Sequence, residues 1–279
     1  MTTTAAVRPS RIVRRSRLRG VGDNVLPPLV ALVLALAAWE ALVRLLNIPI
    51  YLLPAPSDVA GTLWKLVSAG FVPPTYVGAP AEGILYDTWV TLAEALVGLL
   101  IGTFVGLFCA AVMTQWRFAG QALYPIIISI RSTPIIAVAP VFIIWFGFTI
   151  MPKAIVAALA TFYPVLVNCI TGMRAVDPAA LEFFESVHAS RSEIFWRLRV
   201  PNTMPYFFAA LRLNVSLSLI GAIVGELVGA RDGVGHMMTA AAVTLRTTEV
   251  FSGVVILTAL GVVLTELVTF AQRRVLFWH

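Results

Sequence analysis

The sequence has few charged residues and few of the side chains that carry out chemistry. Only 12% of its 279 residues are Asp, Glu, Lys or Arg, against roughly a quarter in soluble domains. It contains two Cys, three His and two Lys, which is too little for a disulfide framework and suggests no metal or phosphate chemistry. Hydrophobic residues make up 59% of the chain. This composition excludes an ordinary soluble domain and favours a protein that resides in lipid.

Several catalytic motifs are also missing. A Walker loop for ATP needs Gly-Lys followed by Ser or Thr, but Lys65 follows Trp64 and Lys153 follows Pro152. Neither an HExxH helix nor a GxSxG elbow occurs, and the three His show no ligand spacing. We therefore expect no metal site and no intrinsic ATPase in this chain.

The sequence instead contains long apolar segments without charged residues. A helix needs roughly 20 apolar residues to cross a hydrocarbon core about 30 Å thick. Three runs reach that length outright, and three others do so once a single Glu or Arg is admitted. In chain order, the six predicted spans are built on residues 26–46, 95–116, 132–152, 154–173, 213–225 and 250–265. The predicted fold class is an all-α polytopic membrane protein with about six transmembrane helices.

The basic residues are distributed unevenly among the predicted loops. Fourteen of the twenty Lys and Arg lie in or near 1–25, 114–121, 174–203 and the C-terminal tail. Cytoplasmic loops carry such an excess, so both termini are predicted to be cytoplasmic. We divide the chain into a basic tail, 1–25, and a transmembrane domain, 26–279. Because most of the excess positive charge lies beside a span, we expect contact with anionic lipid and no nucleic-acid partner.

The segment EFFESVHASRSEIFWRLRVP, residues 182–201, interrupts the apolar pattern with three Glu and three Arg. An Asp-Pro pair at 177–178 predicts the start of a helix that runs to about Ala189. The sequence SRSE at 190–193 fits a capping box, so a second short helix is expected to begin there and to stop before Pro201. Two short helices joined by a tight bend are therefore predicted on the cytoplasmic side.

These two helices carry too many large apolar side chains for a solvated loop, among them Phe184, Val187, Phe195 and Leu198. Exposed apolar groups rimmed by charge mark a contact surface, and short amphipathic helices often dock in a groove of a partner. The helices could equally fold back onto the lipid surface or onto their own spans. On residue chemistry alone, both alternatives stay open.

The same segment resembles the cytoplasmic coupling loop of ATP-binding-cassette importer permeases. That motif begins Glu-Ala-Ala, continues three residues later with Gly-Ala, and ends near Leu-Pro. Glu182 matches the leading Glu, Ala189 the Ala of Gly-Ala, and Pro201 the closing Pro. The departures from the motif are Phe183 and Phe184 for the two Ala, His188 for the Gly, and Val200 for the Leu.

Five further stretches resemble the permeases of nitrate/sulfonate/taurine-type importers. They occur in order over about residues 25–275. They are DTWVTLAEALVGLLIGTFVGL from Asp87, RSTPIIAVAPVFIIWFG from Arg131, MPKAIVAALATFYPVLVN from Met151, GMRAVDP from Gly172 and VGELVGARDGVGHMM from Val224.

The resemblance implies a type I importer permease, not itself an enzyme, that pairs as a homodimer in the cytoplasmic membrane of a prokaryote. Cytoplasmic ATPase subunits would hold ATP and Mg, this chain would bind no cofactor, and an external binding protein would deliver the substrate. That substrate would be a small anion such as a sulfonate, taurine, nitrate or bicarbonate, or a vitamin or its precursor. The residues implied in ATPase coupling are Glu182, Phe183, Phe184, Glu185, His188, Ala189 and Arg191.

Two ionisable residues in or near predicted spans are candidate pathway or gate residues, because charge at membrane depth is costly. Arg131 precedes Ser-Thr-Pro, where the third span begins or is broken. It could counter an anionic substrate, pair with a carboxylate, or extend to the inner interface. Glu226 ends the fifth span and could gate the outer end or pair with Arg231.

Small residues recur every four positions in the second span, at Gly98, Gly102 and Gly106. Such a stripe lets another helix approach closely. The approaching helix could belong to the transport pathway or to ordinary subunit packing.

Two other functional classes fit the sequence less well. A secondary transporter or channel could use buried Glu residues as a proton relay, but such folds commonly show two related halves, and none is evident here. An intramembrane enzyme would need a nucleophile and a base at membrane depth, and the three His lie in predicted loops or the tail. The importer permease is therefore the favoured interpretation.

Overall fold

A computed structural model describes residues 21–71 and 83–276, and for residues 21–25 it describes the backbone alone. Throughout this part of the chain the secondary structure is helical, which confirms the predicted all-α class. The first twenty residues, which hold six Arg of the predicted basic tail, lie outside the described residues, as does His279.

The helices follow one another with short connections. In chain order they are α1 Val21–Leu45, α2 Pro56–Ser68, α3 Ile84–Gln115, α4 Arg117–Ser132, α5 Ile135–Phe146, α6 Ile150–Arg174, α7 Pro178–Ser186, α8 Arg191–Ile194, α9 Val200–Gly229, α10 Val234–Val243 and α11 Thr247–Val275. A π-helical segment, Phe195–Arg199, joins α8 to α9.

The described part of the chain divides into two compact units, one that ends at Ile48 and one that begins at Pro49. In the first unit, α1 is long and apolar. Near its C-terminal end, Arg44 Nε donates to Glu40 Oε1 of the same helix over 3.0 Å. In the second unit, α6 packs against both α3 and α9 and forms the centre of the bundle.

Small residues allow this central packing. Ala157 of α6 lies between Gly98 of α3 and Gly221 of α9. A Cβ added to Gly98 would lie 2.4 Å from the Ala157 Cβ, and one added to Gly221 would lie 2.5 Å from the Ala157 Cα. The three helices therefore approach one another to backbone contact, which no larger residue at these glycines would permit.

Five of the described helices are long and apolar enough to cross a membrane, namely α1, α3, α6, the α8–α9 rod and α11. The α4–α5 pair passes the same test as one unit, although it is bent by 94°, and this gives up to six spans. The predicted number of spans is thus confirmed.

The predicted third span, 132–152, is not one helix. The run is broken after Ser132, because Thr133 and Pro134 are extended, and it is broken again near Gly147, whose φ is +69°. A residue before proline disfavours the helical region, which explains the first break. Pro140, by contrast, lies inside α5 without ending it.

Candidate coupling segment and transport pathway

The candidate coupling segment comprises residues 177–199, from the cap of α7 to the end of the π-helical segment. Helix α7 begins as predicted, because Asp177 Oδ1 accepts a hydrogen bond from the Ala179 amide over 3.0 Å and Pro178 occupies the first turn. Proline is tolerated there since its missing N–H would have had no partner. The start of α7 is therefore fixed by local chemistry.

A left-handed residue closes α7. His188 has φ +56°, its amide donates to Glu185 O over 3.0 Å, and the Ala189 amide donates to Phe184 O over 3.0 Å. This pair of bonds is the Schellman motif, whose left-handed position glycine usually occupies. His188 is also the residue that stands where the coupling motif has glycine, so a residue other than glycine takes the left-handed position here.

The predicted capping box opens α8. The Glu193 amide donates to Ser190 Oγ over 3.3 Å, and the Ser190 amide donates to Glu193 Oε2 over 2.8 Å. The helix does not stop before Pro201, however, and that prediction is wrong. The chain passes through the π-helical segment, where the Val200 amide bonds to Phe195 O, and continues as α9 to Gly229. The wider π turn lets the helix continue past a proline, which supplies no amide donor.

The surface of the coupling segment is largely exposed. Glu182, Glu185 and Arg191 are exposed, and Phe183 and Trp196 remain 63% and 65% exposed. No residue of α7 is buried. The segment thus presents large apolar side chains among charges, the composition expected of a contact surface.

A buried polar network lies at the opposite end of the bundle. Lys153 Nζ in the first turn of α6 donates to Glu94 Oε1 of α3 over 2.7 Å, and the side chains are 5% and 1% exposed. The Glu94 carboxyl also neighbours that of Glu226 on α9. Lys153 is 21 residues from Arg174 at the other end of α6. At 1.5 Å per residue this is about 30 Å, roughly the thickness of a hydrocarbon core.

The same network holds the loop that follows α9. Glu226 Oε1 accepts from Thr91 Oγ1 over 2.6 Å, and Glu226 Oε2 accepts from the Gly235 amide over 2.6 Å. Thr91 Oγ1 in turn accepts from the Val234 amide over 2.9 Å. The amide of Gly233, the residue before Val234, donates to Asp87 Oδ1 over 2.8 Å. Side chains of α3 and α9 thereby cap the start of α10.

One suggested partner of Glu226 is therefore wrong. Glu226 bonds to Thr91 and Gly235, whereas the Arg231 guanidinium lies over the Phe148 ring, 5.3 Å from its centroid. The reason is geometric: Glu226 is 1% exposed and faces α3, while Arg231 is exposed in the loop. The alternative of an outer gate at Glu226 stays a prediction.

The small-residue stripe of α3 lies against α6 of the same chain. A Cβ at Gly102 would lie 2.1 Å from Thr161 Oγ1, and one at Gly106 would lie 2.8 Å from Phe162 O. With the contact of Gly98 described above, the three glycines follow one line along α6.

Arg131 lies in the last turn of α4, at the bend before α5. Its Nη1 donates to the Tyr163 phenol oxygen over 2.9 Å, and its Cζ lies 4.3 Å from the Tyr163 ring centroid. The two residues line a cavity of about 490 Å³ at the bend. Of the alternatives considered for Arg131, pairing with a carboxylate is not found among the described residues.

Sequence reasoning missed most members of these two sites. Lys153, Asp87 and Thr91 in the network, and Tyr163 at the bend, were not singled out. One signal was available for Lys153, because it is one of only two lysines and stands between two uncharged runs. An isolated charge at that position requires a buried partner.

Comparison with known proteins identifies the family. Residues 102–276 match the family model described as binding-protein-dependent transport system inner membrane component. The chain belongs to this family. It is the transmembrane permease subunit of an ABC importer, as the coupling motif and the five similar stretches predicted.

The permease is similar to several transport permeases over most of its length. The formylaminopyrimidine transport permease of Halalkalibacterium halodurans is 31% identical over 239 residues, which cover 86% of this chain and 90% of that protein. The riboflavin transport system permease of Chloroflexus aurantiacus is 30% identical, covering 90% and 89%. The taurine transport system permease of Escherichia coli is 26% identical, covering 89% and 88%.

A solved structure of an amino acid ABC transporter has the same fold. It superposes with a TM-score of 0.57 at 19% identity, over 68% of this chain and 93% of that chain. At this identity the likeness shows the fold alone, and it confirms the predicted type I importer permease fold. The family and the apolar spans together establish a multi-pass membrane protein.

Proposed function

We propose that the coupling segment, residues 177–199, docks on a separate cytoplasmic ATPase subunit, which binds and hydrolyses ATP with Mg. The permease would pair with a second copy of itself, and an external binding protein would deliver the substrate. Both termini would be cytoplasmic, on the side of the coupling segment. The permease would bind no cofactor and catalyse no reaction of its own.

The observation that carries this proposal is the continuity of α8 with α9. The capping box at Ser190 and Glu193 fixes the start of a helical rod that runs without a break to Gly229. A push on the exposed face of α8 would therefore move a membrane span directly. Rigid helices transmit such a displacement, whereas a flexible loop would absorb it.

The test is co-purification of the permease with a cassette ATPase subunit from the same organism. Glu182→Arg reverses an exposed charge at the leading position of the coupling motif. We expect this variant to lose the ATPase while it still purifies as a folded membrane protein. Glu249→Arg is the matched control, because it reverses a charge in the first turn of α11, next to Arg246, and it should retain the ATPase.

A second test measures transport by the purified permease in liposomes, with and without ATP. If the permease alone moved substrate without ATP, or if Glu182→Arg and Glu249→Arg retained the ATPase equally, the proposed coupling would be wrong. The first outcome would instead support a secondary transporter.

For the substrate, we infer either a small anion, such as a sulfonate, taurine, nitrate or bicarbonate, or a vitamin or its precursor. Similar permeases serve taurine on the one hand and riboflavin and formylaminopyrimidine on the other. Ligand screening of the external binding protein that delivers substrate to this permease would distinguish the two classes.

A further inference from the structure

Arg131 lies beside the middle of α6, a helix that is long and apolar enough to span a membrane. Its guanidinium contacts Tyr163, which lies ten residues from Lys153 at one end of α6 and eleven residues from Arg174 at the other. With about 1.5 Å of rise per residue, Tyr163 is about 15 Å from either end. A guanidinium at this depth is unfavourable in lipid, so its surroundings must compensate for it.

No carboxylate supplies that compensation within the part of the chain that the structure describes. The buried Lys153 pairs with Glu94, and the exposed Arg246 pairs with Glu249. Among the described residues, the polar partners of Arg131 are only the Tyr163 phenol oxygen and the face of the Tyr163 ring. These contacts orient the guanidinium but leave its positive charge without a counter-ion.

The cavity beside this guanidinium has the size and composition of a small-molecule site. Its volume of about 490 Å³ falls within the range of about 300–1,000 Å³ that is usual for ligand pockets. The polar members of its lining are Arg131, Thr133 and Tyr163, and the rest is apolar, including Ile127, Val138 and Phe162. An apolar wall with a few convergent polar groups is the usual composition of such sites.

The hydrogen bonds already present determine what the polar groups can offer. Arg131 donates to the Tyr163 oxygen, so the phenol proton of Tyr163 is available to a ligand. Thr133 Oγ1 donates to Ser129 O over 3.1 Å and can only accept from a ligand. The remaining N–H groups of Arg131 and the Tyr163 O–H together form a donor set suited to the oxygens of an anion.

We propose that this cavity binds the anionic group of the transported substrate, with Arg131 as its counter-ion and Tyr163 as the residue that positions Arg131. The ligand is a small organic anion, a sulfonate or carboxylate with an apolar body that fills the rest of the cavity. This inference rests on the proposed function, because it takes the bend between α4 and α5 to line the transport pathway.

The test measures binding of butanesulfonate to the purified permease–ATPase complex in lipid nanodiscs. The uncharged methyl butyl sulfone, which has a similar shape, serves as the matched ligand control. We expect butanesulfonate to bind at millimolar concentration or below and the sulfone not to compete. Arg131→Gln should weaken butanesulfonate binding roughly tenfold or more, since it removes a charge-assisted hydrogen bond.

Three further variants separate charge from structure. Arg131→Lys should retain part of the affinity, because the charge remains without the planar fork. Tyr163→Phe should weaken binding less than Arg131→Gln, since the ring face stays. Arg246→Gln removes a guanidinium that is already paired with Glu249, and it should bind butanesulfonate as the wild type does.

The outcome for this site is distinct from the outcome for ATPase docking. Co-purification of the ATPase with Arg131→Gln would show that the variant is folded and assembled, whatever it binds. Equal binding of butanesulfonate by the wild type and Arg131→Gln, equal binding of the sulfone, or no butanesulfonate binding to the wild-type complex would each overturn the proposal. None of these results would change the interpretation of ATPase loss in Glu182→Arg, so the two proposals are tested independently.

Discussion

Lys153 and Glu94 form an ion pair between α6 and α3, with Nζ 2.7 Å from Oε1 and both side chains almost completely buried. The pair joins two membrane-spanning helices near one end of the bundle. Glu226 of α9 adjoins it, so Lys153 is the cation that faces two carboxyl groups. Removal of one partner of a buried pair leaves an uncompensated charge, which costs more than the pair itself contributes.

We therefore expect Lys153→Met to lower the free energy of unfolding by about 3–5 kcal/mol. The measurement is unfolding of the purified protein in detergent, followed by its tryptophan fluorescence. Lys65→Met is the matched control, because Lys65 is the other lysine of the chain and is exposed. It should change stability by less than about 0.5 kcal/mol.

The double variant Glu94→Leu/Lys153→Met should recover most of the lost stability, since replacement of a whole buried pair by apolar residues is often close to neutral. If Lys153→Met were as stable as Lys65→Met, the Lys153–Glu94 pair would not stabilise the packing of α6 against α3.

Gly102 tests the close approach of α3 and α6. An added Cβ would meet Thr161 Oγ1 at 2.1 Å and the backbone oxygen of Ala158 at 2.6 Å. The backbone cannot move without displacing α6, so Gly102→Ala should destabilise the protein by about 1–3 kcal/mol. Gly61→Ala is the control, because nothing lies within 4 Å of its Cβ position. Gly61→Ala should raise stability by up to about 1 kcal/mol through helix propensity. If Gly102→Ala also raised stability, the close approach of α3 and α6 would be contradicted.

His188 allows two substitutions of opposite effect at one position. His188→Gly should leave stability unchanged or raise it by up to about 1.6 kcal/mol. Relief of the left-handed conformation contributes about 1–2 kcal/mol, and the greater freedom of glycine in the unfolded chain offsets about 0.4–1 kcal/mol of it. His188→Val should lower stability, since a branched residue at positive φ is strongly disfavoured.

ATPase co-purification provides the functional measurement for His188. His188→Gly should retain the ATPase and His188→Val should lose part of it. Equal retention by both variants would show that the shape of the bend after α7 does not matter for docking.

Glu226 should control protection of the loop after α9. Glu226→Ala removes the acceptors of Thr91 Oγ1 and the Gly235 amide. Trypsin should then cleave after the exposed Arg231 roughly tenfold faster, because the loss of two hydrogen bonds at about 1 kcal/mol each lowers the local stability of the loop. Glu266→Ala is the control, since it removes an exposed carboxylate from α11. Unchanged cleavage in Glu226→Ala would show that other contacts hold the loop.

The local features of the fold could be predicted because each depends on neighbouring residues. The cap at Asp177 and the capping box at 190–193 formed as expected, and the chain breaks at Pro134. The end of a helix before Pro201 was predicted by the same local reasoning and was wrong. There a π-helical turn at 195–199 removed the conflict that proline would otherwise have caused.

The polar sites could not be predicted in the same way. Lys153 is 59 residues from Glu94, and Thr91 is 135 residues from Glu226. No sequence period joins such positions, because the contacts depend on which helices pack together and in what rotation. The contact of Arg131 with Tyr163 across 32 residues has the same origin.

The sequence by itself determined that the chain spans a membrane, where the two short capped helices α7 and α8 begin and to which family it belongs. These properties follow from apolar length, from helix capping and from short motifs, all of which act over a few turns of chain. Only the tertiary structure decided which charges meet. A buried charge is stabilised by whatever group the packing of distant helices brings within about 3 Å, and for Arg131 that packing supplied a phenol and a cavity in place of a carboxylate.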